Sequence, residues 1–261
     1  MQVDPQYGLA MPEHGWVPSP GYVLRRHRVL AHLAQLPRGR RAVEIGCGAG
    51  ALLRDVAARG YACDALETSP RALELLREAY GGRADIRVHA AAGDDWAGAF
   101  DLVMAFEVLE HIEDDAAALE EWCSWLAPGG HLLLSVPAHQ RRWNPTDVWA
   151  GHFRRYERDE LAARLAAAGL EVRSLECYGF PLANALEAVR ARTFQRGDTR
   201  GREGATAQSG VERRVETRLW PLQTRLLGRA AMVALCNMQE AFLDRELGNG
   251  FLAVARRQGA A

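Results

Sequence analysis

An α/β chain built on a doubly wound, mostly parallel seven-stranded sheet is the expectation here, and two observations carry it. Between residues 41 and 177, short apolar runs alternate with segments of helical spacing. That alternation marks a parallel sheet covered by helices on both faces. The first run closes on Val43-Glu44-Ile45-Gly46-Cys47-Gly48-Ala49-Gly50, an acid followed by glycines at Gly-x-Gly-x-Gly spacing. A glycine turn between strand and helix lets backbone approach a ligand closely, because no side chain intervenes. The dinucleotide fingerprint is Gly-x-Gly-x-x-Gly, so this turn is of another kind.

The elements follow in order. Residues 1–20 carry four prolines and read as an extended arm. Tyr22, Val29, Leu33 and Leu36 recur at helical spacing up to Pro37. Strands are expected at 41–45, 61–66, 85–90, 100–105, 131–136, 171–177 and 250–256, with helices at 51–59, 69–79, 114–126 and 157–169. Pro128-Gly129-Gly130 reads as a turn. Between 179 and 248 lies an insertion with a polar middle, Arg196 to Arg214, and an apolar helical end, Leu222 to Leu243. The expected organisation is a 1–38 arm with lid helix, a 39–178 core, a 179–248 cap and a 249–261 final strand and tail. The arm and cap are helical additions to the sheet.

Composition narrows the function. A formal net charge of −1 gives no general pull toward nucleic acid or anionic membrane. All 32 basic residues are arginine, which removes lysine-based mechanisms. Five scattered cysteines without a Cys-x-x-Cys pair fit a reducing cytoplasm, and argue against a disulfide scaffold or a cysteine zinc site. The start, Met1-Gln2-Val3-Asp4-Pro5, lacks a signal-peptide pattern, and Arg229 and Glu240 interrupt the most apolar late stretch. A cytoplasmic protein without a transmembrane segment is expected, with a homodimer left open.

Ligands of such sheets sit at the carboxyl ends of the strands. The glycine turn, Glu67, Asp94-Asp95 and Phe106-Glu107 all fall there. Glu67 stands 21 residues after Gly46, where a carboxylate can take both hydroxyls of a ribose. Acid, glycine turn and second acid together resemble the class I S-adenosylmethionine (SAM)-dependent methyltransferases, whose fold is Rossmann-like. The resemblance implies SAM as cofactor, with Gly46, Cys47, Gly48, Glu67 and Thr68 around it. Asp94 and Asp95 would meet the adenine amino group. Phe106 would pack on the adenine or methionine part, or else belong to the core. Glu44 would orient the turn or receive the ammonium.

Glu107-x-x-Glu110-His111 is similar to the Glu-x-x-Glu-His segment of the ubiquinone-pathway O-methyltransferases and of the small-RNA 3′-terminal 2′-O-methyltransferases. There the acids and the histidine hold a divalent metal, joined in the RNA enzymes by a later histidine. His152, in Gly151-His152-Phe153-Arg154-Arg155-Tyr156, is the matching position. The resemblance thus implies a Mg or Zn site at Glu107, Glu110, His111 and His152. The alternative keeps His111 or His152 as a metal-free base. An arginine ahead of the glycine turn meets the cofactor carboxylate in the ubiquinone-pathway enzymes, and Arg26 is the matching residue, beside Arg25. Trp16 and Tyr22 are candidates for closing over the substrate. The resemblance covers roughly residues 16–178. It implies methyl transfer to an oxygen, or a nitrogen, of a small biosynthetic acceptor. An RNA 2′-O-methyltransferase and a catalytically silent SAM-binding partner protein stay as alternatives; the neutral charge weighs against the first.

Overall fold

The sheet grows outward from a buried central strand. In the computed structural model, which describes residues 1–194, 217, 220, 221 and 223–259, β1 (Gln2–Asp4) and β2 (Gly8–Ala10) form a small hairpin ahead of α1 (Pro20–Gln35). There follow β3 (Arg41–Ile45), α2 (Leu53–Ala57), β4 (Ala62–Leu66), α3 (Pro70–Tyr80), β5 (Ile86–His89), β6 (Phe100–Phe106) and α4 (Asp115–Trp125). The second half holds β7 (Leu126–Pro137), α5 (Pro145–Ala150), α6 (Arg158–Ala167), β8 (Leu170–Tyr178), α7 (Leu182–Phe194), α8 (Leu226–Glu240) and β9 (Gly250–Arg257). The seven-stranded sheet runs β5-β4-β3-β6-β7-β9-β8, and only β9 is antiparallel to its neighbours. Strand order reverses between β3 and β6, which opens a crevice at their carboxyl ends.

Strand alternation builds two cores. Ala42, Leu102, Met104, Leu252 and Val254 face α1, α2 and α3, where Val29, Leu33, Leu53 and Leu76 pack. Val43, Ile45, Val103, Phe251 and Ala253 face α4 and α6, against Leu119, Trp122, Leu161 and Leu165. Period-two burial on both faces is what a covered parallel sheet requires.

Three elements differ from expectation. Helix α2 is only Leu53–Ala57, because turns from Gly50 to Cys47 and from Leu53 to Gly50 occupy its expected first residues. Pro128-Gly129-Gly130 lies inside β7, where a register shift between Phe100 and Leu102 absorbs it. The N-terminal segment is a hairpin, not an extended arm, and it does not stand apart from the cap. Tyr7, Val17, Val23 and Leu24 share a third core with Ala183, Trp220, Met232 and Cys236. The Tyr7 hydroxyl donates to the Gln223 carbonyl at 2.7 Å, and Asp4 pairs with Arg229. The segment 196–214 lies outside the described residues. Among those described, no helix is long and apolar enough to cross a membrane. All five cysteines are free and buried.

Helix α1 is pinned by charge as well as by packing. Arg28 forks onto Glu176 of β8 at 2.9 and 3.0 Å and reaches Glu240 of α8 at 2.7 Å. His32 Nε2 lies 2.9 Å from the same Glu176 carboxylate. Burial alone would raise the Glu176 pKa, but His32 and Arg28 outweigh it and hold it at about 2, against an ordinary 4.5. A depressed carboxylate stabilises the fold above its unfolded pKa, and that contribution is lost as pH falls through the folded one. Glu176→Gln should therefore cost about 3 kcal/mol at neutral pH and almost nothing near pH 2. Denaturant unfolding of both proteins across that range is the check, and a pH-independent difference would contradict it.

Candidate active site

The crevice is lined first by the glycine turn. Gly46 has φ +58°, and a Cβ there would stand 2.6 Å from Val108 Cγ2 on the loop after β6. Only glycine lets the two loops close on each other without strain. Glu67, at the end of β4, accepts from the Gly48 amide at 2.8 Å through one oxygen. Its other oxygen accepts from the Thr68 and Ser69 amides at 2.8 and 2.9 Å. Three of its roughly four acceptor sites are thus engaged in holding the turn. The Cys47 thiol is buried, and burial keeps it protonated. Thr68 is exposed and contributes its amide. Asp94 and Asp95 are exposed just beyond β5, and Asp95 lies 3.7 Å from Arg41.

Glu44 is buried with its Oε2 unpartnered. Burial raises its pKa to about 8, with Asp55 and Glu67 adding to the effect and Arg25 opposing it. Nearby, the Tyr22 hydroxyl is also buried without a partner. Arg26, the residue matched to the cofactor carboxylate, is engaged within the chain. Arg26 turns away from the crevice: its guanidinium forks onto Asp55 at 2.7 Å twice and caps the Pro5 and Gln6 carbonyls. Arg25 instead faces the crevice, its guanidinium 5.7 Å from the centroids of both Tyr22 and Phe106. It stands 3.4 Å from Glu107. Phe106 therefore belongs to the site wall as well as to the core.

The segment after β6 divides its two glutamates. Glu107 adopts φ +58°, which is uncommon for a residue with a side chain. Its Oε1 accepts from the Ser135 hydroxyl at 2.8 Å and the Tyr178 hydroxyl at 3.0 Å. Residues 109–111 then form one tight turn that carries Glu110 inward. Glu110 is fully buried, and neither carboxyl oxygen has a hydrogen-bond partner. Burial, with repulsion from Glu107, pushes its pKa well above the usual carboxylate range.

His111 and His152 meet edge to face, with ring centroids 4.7 Å apart. Burial and the neighbouring His152 lower the His111 pKa to about 4, and its Nδ1 is unpartnered. His152 Nδ1 lies 2.9 Å from Asp147 Oδ1, while its Nε2 faces Glu110 at 3.9 Å. One donor atom each from Glu110, His111 and His152 falls within 4.8 Å of the others. Glu107, expected as a fourth ligand, lies outside this group. Its left-handed backbone directs the carboxylate to Ser135, Tyr178 and Arg25.

Sequence reasoning missed Asp147, Ser135 and Tyr178. Asn144-Pro145-Thr146-Asp147 reads as a helix start, and Asp147 does complete a capping box with Asn144. Nothing in that pattern signals a second contact with a histidine five residues on.

Comparison with known proteins gives the family and the fold. The sequence profile described as "Methyltransferase domain" matches residues 22–175, more than half of the chain. The chain belongs to the methyltransferase-domain family. It is 35% identical over 184 residues to a Mycolicibacterium smegmatis protein named "probable S-adenosylmethionine-dependent methyltransferase", covering 65% of this chain and 70% of that one. It is 35% identical over 105 residues to the ubiquinone biosynthesis O-methyltransferase of Xanthomonas axonopodis pv. citri, and 27% over 158 residues to that of Marinobacter nauticus. Those alignments cover 38% and 52% of this chain but only 44% and 66% of the two relatives.

Among solved structures, a SAM-dependent methyltransferase from Mesorhizobium loti superposes with a TM-score of 0.56 at 18% identity, covering 92% of this chain and 98% of that one. A Haemonchus contortus phosphoethanolamine N-methyltransferase with SAM bound gives a TM-score of 0.58 at 13% identity, covering 90% and 52%. These identities carry the fold alone.

SAM is the cofactor of this family, and the crevice fits it. Positive φ at Gly46, Gly48 and Gly50 folds the backbone tightly at the end of β3, and Cβ atoms at Gly46 and Gly50 would strike Val108 and Leu76. The orphaned Glu44 oxygen offers an acceptor where a cationic group can sit.

Proposed function

We propose that this chain transfers a methyl group from SAM to an oxygen of a small-molecule acceptor, at a centre formed by Glu110, His111 and His152. The observation that carries the reading is the buried, unpartnered Glu110 carboxyl beside two imidazoles, at the carboxyl end of β6. A group so placed is costly unless a ligand completes it. The cofactor supplies a sulfonium-bound methyl for in-line displacement, a reaction helped mainly by placing the nucleophile and excluding water.

The chain divides the binding work. Glu67 and the glycine turn hold the ribose side, with the exposed Asp94 and Asp95 toward the adenine. Arg25 and the Tyr22 hydroxyl meet the cofactor carboxylate, and Glu44 meets its ammonium. Arg26 is a structural ion pair in this reading. Arg25→Met should weaken S-adenosylhomocysteine binding by about 10–100-fold, one charge-assisted hydrogen bond. Arg26→Met should instead lower unfolding stability by about 3 kcal/mol and leave affinity within a few-fold. Calorimetry on both folded variants decides between the two arginines, and the reverse ranking would restore Arg26.

Glu44 gives a second handle. With a pKa of about 8 it is mostly protonated at neutral pH. A cationic group arriving at Oε2 favours the ionised form, so binding should release up to about one proton at pH 7. Calorimetry in buffers of different ionisation enthalpy reads this release, and Glu44→Gln should abolish it. Equal apparent enthalpies in all buffers would remove Glu44 from the cofactor site.

For the reacting centre, we read Glu110, His111 and His152 as ligands of a divalent cation. One carboxylate and two imidazoles suit a zinc-class ion better than magnesium. A bound cation would supply positive charge that lowers the pKa of an acceptor hydroxyl. Asp147 keeps His152 Nε2 turned to the site, and Glu107 with Tyr178 lines the other wall. Among the described residues beside the centre, Arg142, Arg154 and Arg155 are held in ion pairs, and with the near-neutral net charge this favours a small acceptor over nucleic acid. Chelation should abolish methyl transfer to an ortho-diphenol probe without unfolding the chain, and His152→Ala should weaken Zn²⁺ or Mg²⁺ binding by at least about 10-fold. Full turnover after exhaustive chelation would leave the Asp147–His152 pair as a metal-free base.

A further inference from the structure

Asp147 carries more contacts than a helix cap requires. Its Oδ2 accepts from the Asn144 amide at 2.9 Å, which completes the capping box of α5. Its Oδ1 takes no part in the cap and faces both His152 Nδ1, at 2.9 Å, and Arg155 Nε, at 2.8 Å. Gly151, at φ +77°, ends α5 and folds the chain back so that His152 stands over Asp147. A carboxylate only accepts hydrogen bonds, so the proton between them must sit on Nδ1. The Nε2 lone pair then faces Glu110 and His111.

Arg155 extends the chain of contacts into the cap. It is buried, and its Nη2 donates to Asp147 Oδ2 at 2.8 Å and to Glu187 Oε1 at 2.5 Å. Glu187 lies on α7, in the insertion, and also accepts from Arg142 Nη2 at 2.8 Å and Asn144 Nδ2 at 3.1 Å. One cap carboxylate thus grips three residues of the segment that delivers His152. We propose that Glu187, acting through Arg155 and Asp147, is a positioning residue that fixes the ring orientation and tautomer of His152, so that docking of the cap sets the geometry of the reacting centre. The proposal rests on the reading of His152 as a member of that centre. Hydrogen-bond partners of a ligating or basic histidine select which nitrogen is available.

The test reads the imidazole directly. Imidazole ¹⁵N spectra of the ligand-free protein are recorded at about pH 8, above the usual histidine range, with His152 assigned by its loss in His152→Asn. Wild type should show Nδ1 protonated and Nε2 as the bare nitrogen. Glu187→Ala should shift His152 toward a tautomer mixture and weaken Zn²⁺ binding by about 10-fold. In the same variant, S-adenosylhomocysteine affinity should stay within a few-fold. Glu187→Gln keeps an oxygen acceptor for Arg155 and Asn144, so it should recover the wild-type tautomer; a merely structural loss of charge would leave it like Glu187→Ala. Thermal unfolding confirms that each variant is folded. A wild-type His152 spectrum in folded Glu187→Ala and Asp147→Asn would overturn the relay. An altered tautomer with unchanged Zn²⁺ binding and unchanged methyl transfer to an ortho-diphenol would uphold the relay and overturn the placing of His152 at the reacting centre.

Discussion

A carboxylate removed from water without hydrogen bonds costs so much that the group takes up a proton instead. Glu110 is in that position, at the end of the central strand β6, with no exposed surface and two unsatisfied oxygens. Its surroundings are arranged about this constraint. His111 is held neutral beside it by burial, and His152 is held with one nitrogen toward it and the other against Asp147. The Phe153 amide fastens the His152 segment to the Glu110 carbonyl at 2.8 Å. Tyr156 and Arg154 fasten the same segment to Asp115, at the start of α4. An acid held buried without a hydrogen bond is unfavourable until a partner reaches it.

Two carboxylates three residues apart perform separate work because the backbone between them turns sharply. The left-handed conformation at Glu107 is unfavourable for a side-chain-bearing residue by about 1–3 kcal/mol. It persists because the Glu107 amide bonds the Ser135 carbonyl at 2.9 Å while its carboxylate holds Ser135, Tyr178 and Arg25. The outcome is that the two glutamates face different neighbours. Arg25 stands with Tyr22 and Phe106, and Glu110 stands with the histidines.

Much of this was legible in the sequence, for physical reasons. Buried parallel strands read as apolar runs bounded by turn residues, so β3 through β9 fell within one or two residues of expectation, β7 aside. The glycine turn and Glu67 were legible because their chemistry is local. The choice of Arg26 over Arg25 could not be checked from spacing, since adjacent residues on a helix point about 100° apart and the burial of α1 decides which way each one points. Glu107 was grouped with Glu110 because spacing cannot reveal a positive φ, which Ser135, Tyr178 and Arg25 stabilise from distant parts of the chain. Asp147 was hidden behind its own capping box.

The largest gap between sequence and structure concerns the arm and the cap, and it bears on how the site closes. Read along the chain, they are separate additions with the whole of the 39–178 core between them. Folded, they share one core at Tyr7, Leu24, Ala183 and Trp220, tied by Asp4 to Arg229 and by Arg28 to Glu240. Helix α1, which carries Tyr22 and Arg25, is therefore packed with the body whose α7 carries Glu187 to Arg142, Asn144 and Arg155. Such coupling needs no long signalling path. A change in how the composite body sits on the sheet would move Arg25 and Glu187 together, and with Glu187 the support beneath His152. Segments from the two ends of the chain thus form one packed unit, which no local pattern in either segment could disclose.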